Sequence, residues 1–307
     1  MLPYYKKRIE LHNHTLESDG TMTAIELADF LRAHGITSYA LTDHNTISGL
    51  DKTKQYLATG VPMELVCGYE LTSYMGHILC HNIPEYIHWE DIRMDNADML
   101  FDRVHSMGGI VGIAHPFSAV FPISNGMRFA MKIHDLNKLD FVEIVNHAHP
   151  YVPDNKQALE YWESLYLQGY SVSPASGLDL HRPDTDLTNA YTTWLLLPDS
   201  LKDHPISEQL HYAIKHQHIC VSNGPVLHSC MTADKLSVFI ENETLPGASY
   251  ELVLRTPQGN YRFPVTDVLD LDVALLSIDP SAPVIAELYE QNRSQEQPCA
   301  IAPVIYS

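Results

Sequence analysis

Through the first two thirds of the chain, short apolar runs alternate with stretches whose apolar residues recur every three to four positions. The runs at 8–12, 36–42, 63–68, 109–114, 141–145, 171–176 and 192–197 read as strands. Helical spacing marks 23–34, 48–59, 96–106, 155–168 and 207–216, and Thr23 stands three residues before Glu26, the spacing of a capping box. Strand and helix in alternation predict βα units around a mainly parallel sheet.

Past about residue 225 the texture changes. Strand-like stretches at 236–241, 250–255, 261–265 and 286–290 are broken by turn formers such as Pro246-Gly247 and Gly259-Asn260, and no helical period intervenes. This predicts a small all-β domain, and a division of the chain into 1–224 and 225–307.

Composition changes the picture in two ways. Of the 307 residues 45% are hydrophobic and 19% charged, enough for a substantial core. Set against 38 Asp and Glu, 19 Lys and Arg leave a formal net charge of -19. Such a surface repels nucleic-acid phosphates and anionic lipid, so neither nucleic acid nor membrane is expected as a partner, and a small-molecule substrate is. The five cysteines are odd in number and lack short paired spacing, which points to a reducing compartment. No apolar leader precedes the first motif and no apolar run approaches the ~20 residues of a membrane span, so a cytoplasmic location is expected.

Histidine is the exception to this bland composition, at 18 residues. It is the commonest metal ligand, and here it gathers where apolar runs break into polar residues. Glu10-Leu11-His12-Asn13-His14 places two imidazoles at i and i+2, on one side of an extended chain, with Asp19 able to curl back from the following loop. Further blocks are Thr42-Asp43-His44-Asn45, Gly68-Tyr69-Glu70, Gly76-His77-Ile78-Leu79-Cys80-His81, Ala114-His115-Pro116-Phe117, Glu143 to His147, and Gly177-Leu178-Asp179-Leu180-His181. A residue before proline avoids the α region, so His115 is expected in an extended turn. A carboxylate such as Glu70 at a strand exit can bridge two cations, and both His77 and His81 are within its reach. Taken singly, each block is open to a structural reading, such as Asp43 capping a helix. Together they put His, Asp or Glu at the end of nearly every strand, on the rim where an α/β barrel builds its chemistry. The set holds no cysteine, unlike structural zinc sites, and suits hydrolytic Zn, Mn or Fe.

These blocks, in this order over roughly residues 8–182, resemble the polymerase and histidinol phosphatase (PHP) family of metal-dependent hydrolases. The tail, with Cys220 to Pro225 and Ala300 to Tyr306, resembles its two-domain branch that includes carbamate hydrolases. The resemblance implies a distorted (βα)7 barrel followed by a β-sandwich, with two or three divalent ions. It assigns His12, His14, Glu70 and Asp179 to a first metal, Glu70 with His77 and His115 to a second, and Asp19, His44 and His181 to a third. Glu70, Asp179 and His181 are the expected catalytic residues, and His77 is preferred to His81 because Gly-His-Ile-Leu matches the family block.

The function expected is hydrolysis of a small-molecule phosphate ester by a metal-bound hydroxide, with His147, Arg128 and Arg182 as substrate contacts. Phe117, Phe121 and Phe129, in or beside loop 116–128, offer apolar surface for a leaving group or pack the barrel end. The alternative is an amide or carbamate hydrolase using the same metals. A non-catalytic metal-binding module would show lost ligands, and none is missing.

Overall fold

The computed structural model describes residues 4–118, 127–147, 152–242, 247–276, 278–279, 281–291 and 297–306. The first part runs β1 (Tyr4–Ile9), α1 (Ala24–Ala33), β2 (Ser38–Leu41), α2 (Gly49–Leu57), β3 (Glu64–Ser73), β4 (Gly76–His81), α3 (Ala97–Ser106), β5 (Ile110–Ile113), β6 (Phe141–Asn146), α4 (Pro153–Leu167) and β7 (Ser173–Gly177). It continues with β8 (Thr192–Pro198), α5 (Ile206–Lys215) and β9 (Ile219–Ser222). Thr23 caps α1 as its spacing predicts, accepting from the Glu26 amide at 3.2 Å while the Glu26 carboxylate accepts from the Thr23 amide at 2.8 Å. Leu27, Ala28 and Leu31 then bury one face of this helix.

Strands β2 to β7 form one curled sheet in chain order. The β2–β3, β5–β6 and β6–β7 pairs are parallel, whereas β4 is antiparallel to both neighbours. β4 is a strand the hydropathy pattern did not mark. It folds back on β3 through a turn ending at Gly76, whose φ of 134° is open to glycine and strained for other residues. The space is also closed, since a Cβ at Gly76 would lie 2.9 Å from the Phe129 ring.

The strand expected at 8–12 is displaced. β1 ends at Ile9 and pairs antiparallel with β8, outside the curled sheet. Residues 10–14 join that sheet only through parallel bridges, Glu10 to Tyr39 and Asn13 to Leu180. They thread between β2 and the exit of β7, and so bring His12 and His14 to the sheet's open rim. Leu11, Val66, Phe101, Phe141, Trp162 and Ile214 belong to the apolar core beneath.

The remaining strands are β10 (Val226–Met231), β11 (Lys235–Glu241), β12 (Tyr250–Thr256), β13 (Gly259–Val265), β14 (Val268–Asp272), β15 (Ile285–Glu290), β16 (Ala300–Pro303) and β17 (Ile305–Tyr306), with one helical turn, α6 (Val273–Leu276), between β14 and β15. A seven-stranded antiparallel sheet runs β1-β8-β9-β16-β15-β12-β13, and a four-stranded sheet runs β14-β11-β10-β17. Leu196, Cys220, Leu227, Val238, Leu252 and Leu288 share one apolar cluster between them. The larger sheet thus crosses the division at 224/225, because β1, β8 and β9 hydrogen-bond into it from the first part of the chain. Pro246, one of the expected turn formers, lies outside the described residues. Among those described, no helix is long and apolar enough to cross a membrane.

Candidate metal centre

Glu70 lies within β3, three residues before its end at Ser73, and is fully buried. Its Oε2 lies 3.2 Å from His12 Nε2, 3.4 Å from His14 Nε2 and 2.8 Å from His44 Nδ1. Its Oε1 lies 2.9 Å from His77 Nδ1 and 3.2 Å from His115 Nε2. One carboxylate therefore meets five imidazoles, three at one oxygen and two at the other. Asp179, at the exit of β7, comes within 3.0 Å of His14 Nε2 and 3.5 Å of His12 Nε2. Asp19 curls back to within 3.2 Å of His181 Nε2 and 3.5 Å of His44 Nε2, with its own side chain 57% exposed.

All nine residues expected as ligands are thus brought together. Their donor atoms converge in four overlapping groups: His14, Asp19, His44 and His181; His12, His115 and Asp179; His12, His14 and Glu70; and His44, Glu70 and His77. The overlap differs in detail from the resemblance, which separates His44 from Glu70 and His115 from Asp179. A divalent cation fits what is present. Among the described residues, Nε2 of His12, both ring nitrogens of His14 and Oε2 of Glu70 are buried yet find no hydrogen-bond partner, a costly state that a shared cation relieves.

Backbone conformation aims these side chains. His115 has φ 28° and Asp179 φ 48°, both in the left-handed region that costs a non-glycine residue on the order of 1–3 kcal/mol. The extended turn expected at His115 is therefore not adopted. Instead its amide donates to Glu143 Oε2 at 2.7 Å, and its Nδ1–H donates to the Met127 carbonyl at 3.0 Å, which turns Nε2 toward Glu70. Asp43, read as a possible helix cap, holds the Asp19 loop. It accepts from the Thr15 amide at 2.7 Å, the Thr15 hydroxyl at 2.8 Å and the Ser18 hydroxyl at 2.7 Å.

The electrostatics are mutual. Burial pulls the Glu70 carboxyl upward, but His12, His115 and His44 outweigh it and hold it well below the usual carboxylate range. Burial would likewise depress His12, yet Asp179, Glu143 and Glu70 keep it well above an ordinary histidine. His14 remains lowered, because burial wins there.

His81 is not in the cluster. It shares a face of β4 with His77 but lies four residues deeper, fully buried, its ring stacked on Phe141 at 5.4 Å. Among the expected substrate contacts, His147 reaches Asp179 Oδ2 at 3.9 Å and is half exposed. Arg128 lies over the Phe117 ring at 5.7 Å, and Arg182 is exposed with no ion pair among the described residues. Phe117 packs edge-on against Tyr161 and Phe129 packs against the core, while Phe121 lies outside the described residues.

The structure thus joins a curled α/β sheet, whose rim is rich in histidine and carboxylate, to a larger antiparallel sheet. A two-domain protein from Bacteroides vulgatus, containing a predicted PHP-like metal-dependent phosphoesterase, superposes on 99% of this chain and 96% of its own at a TM-score of 0.57 and 12% identity. The overall fold of the chain is therefore similar to that of this two-domain protein. In sequence it is 30% identical over 99 residues to a 5'-3' exoribonuclease of Haemophilus influenzae, covering 32% of this chain and 31% of that one. It is 33% identical over 119 residues to the uncharacterized protein MJ1587 of Methanocaldococcus jannaschii, covering 38% and 61% respectively. The chain therefore spans less than two thirds of either relative. No protein-family model matches it.

Proposed function

We propose that the protein is a metal-dependent hydrolase that cleaves a phosphate ester of a small molecule. The observation that carries this reading is Glu70, a buried carboxylate offered on both oxygens to two sets of imidazoles. Two or three divalent ions, Zn, Mn or Fe, would be held by His12, His14, Asp19, His44, Glu70, His77, His115, Asp179 and His181. Bound there, they would supply Lewis acidity and water activation at neutral pH. Glu70 and Asp179 remain ionised to receive them. His181 lies part exposed between Asp19 and Asp179, and in this reading it would meet a substrate oxygen. His147 beside Asp179 is the best-placed of the three substrate contacts. A net charge of -19 opposes approach of a polyanion, which favours a compact ester over a nucleic acid. Similarity over 99 residues to an exoribonuclease is in keeping with phosphoester chemistry.

A second reading, amide or carbamate hydrolysis with the same ligands, draws on the resemblance of the tail to carbamate hydrolases. The deciding experiment is kcat/KM for small phosphomonoesters, phosphodiesters, aryl carbamates and single-stranded oligonucleotides, with each metal. A hundredfold preference for carbamates would replace the first reading with the second. A preference for oligonucleotides would show that the charge argument is mistaken.

A further inference from the structure

Glu143 lies in the middle of β6, a strand buried along its whole length, where a carboxylate is costly unless it is fully bonded. Its Oε1 accepts from His12 Nδ1 at 2.9 Å. Its Oε2 accepts from the His115 amide at 2.7 Å and from the Asn146 side-chain amide at 2.9 Å. Among the described residues, its hydrogen-bond partners on both sides are donors. Gly177 leaves room for this arrangement, since a Cβ there would sit 2.2 Å from Glu143 Oε1 and 2.4 Å from His12 Cβ. The glycine of the Gly177-Leu178-Asp179 block is thus needed for close approach.

We infer that Glu143 is a positioning residue of the candidate metal centre, setting the tautomer of His12 and the strained turn at His115 together. The inference rests on the metal reading proposed above. With Nδ1–H given to Glu143, the His12 lone pair is on Nε2, the atom 3.2 Å from Glu70 Oε2. The other oxygen holds the amide of His115 at φ 28°, which points that ring at the opposite oxygen of Glu70. One carboxylate thereby places a donor nitrogen on each side of the bridge. Partners of this kind behind a ligating histidine typically govern about ten- to a hundredfold in metal affinity.

Glu143→Gln is the sharp perturbation, because it keeps shape and removes one acceptor. If the amide oxygen faces His115 and Asn146, the amide nitrogen faces His12. Nδ1 must then accept, and the proton moves to Nε2, which can no longer ligate. If the amide is turned the other way, its NH2 opposes the His115 N–H and the turn is lost. The test has two arms. In 15N NMR spectra of metal-free wild type at a pH where His12 is neutral, with His12 assigned by difference from His12→Gln, His12 should be the Nδ1–H tautomer and should change in Glu143→Gln. In competition with a chromophoric chelator, Glu143→Gln should bind Zn about ten- to a hundredfold more weakly than wild type while its circular dichroism stays native. Wild-type Zn affinity in that variant, or an Nε2–H tautomer in the wild type, overturns the inference. The tautomer arm needs no variant at position 143 and stands even if Glu143→Gln does not fold. Absence of Zn binding by the wild type, with the Nδ1–H tautomer intact, sinks the metal reading instead and leaves the Glu143–His12 arrangement established.

Discussion

His81 should make the curled sheet sensitive to acid, and replacing it with phenylalanine should remove that sensitivity. Neither ring nitrogen has a hydrogen-bond partner among the described residues, and the ring lies nearly parallel to Phe141, at 7°. Burial, with a smaller contribution from His12, pushes its pKa down to about 3 from an ordinary 6.5. A histidine that stays neutral in the fold while the unfolded chain takes up a proton contributes its full stability above pH 6.5. That stability is lost progressively as pH falls from 6.5 toward 3. At pH 5 the gap is 1.5 pH units, and at 1.36 kcal/mol per unit this is about 2 kcal/mol. Phenylalanine keeps the stack and titrates nowhere in this range. Its extra volume costs roughly 1–3 kcal/mol, but equally at every pH. The assay is urea unfolding of wild type and His81→Phe at pH 7.5 and 5.0, in chelator so that metal loss does not contribute. The difference in stability between the two proteins should move by about 2 kcal/mol in favour of the variant at the lower pH. Equal pH dependence in both would refute the reasoning.

Three further outcomes are expected. Protein purified without chelator should carry two or three equivalents of Zn, Mn or Fe by elemental analysis, and less than one, with no gain on adding metal, counts against the centre. Glu70→Gln and Asp179→Asn should abolish turnover with native circular dichroism, since each keeps its volume and loses a charge that meets several histidines; near wild-type activity would remove the bridging role of Glu70. His77→Ala should lower metal content more than His81→Ala, because only His77 lies against Glu70, and the reverse order would put the wrong histidine in the site.

Much of the site was legible in the sequence because its signal is local. A ligand at a strand exit interrupts an apolar run, and the interruption can be read without knowing the neighbours. His12, His14, His44, Glu70, His115, Asp179 and His181 all announce themselves in this way, and the capping box at Thr23 and Glu26 is equally local. The choice between His77 and His81 was not local. Four residues apart on one strand, they face the same side and differ by about 13 Å in depth. Only the pairing of β4 with β3 and β5 puts one at the rim and the other against Phe141.

The same limit explains the larger differences. The alternation of apolar runs and helical stretches determined an α/β first part and a β-rich tail, because periodicity reports which face of an element is buried. It does not report which strand lies alongside which. The pairing of β1 with β8, and of β9 with β16, was decided by contacts between residues far apart in the chain, and so the larger sheet runs through a division that composition places at 224/225. Glu143 shows the point at the scale of one side chain. In sequence it is a lone charge in a buried strand, a sign that something must satisfy it. That its partners are the His12 ring on one side and the strained His115 amide on the other follows only from the fold, which brings residues 12, 115 and 177 around it.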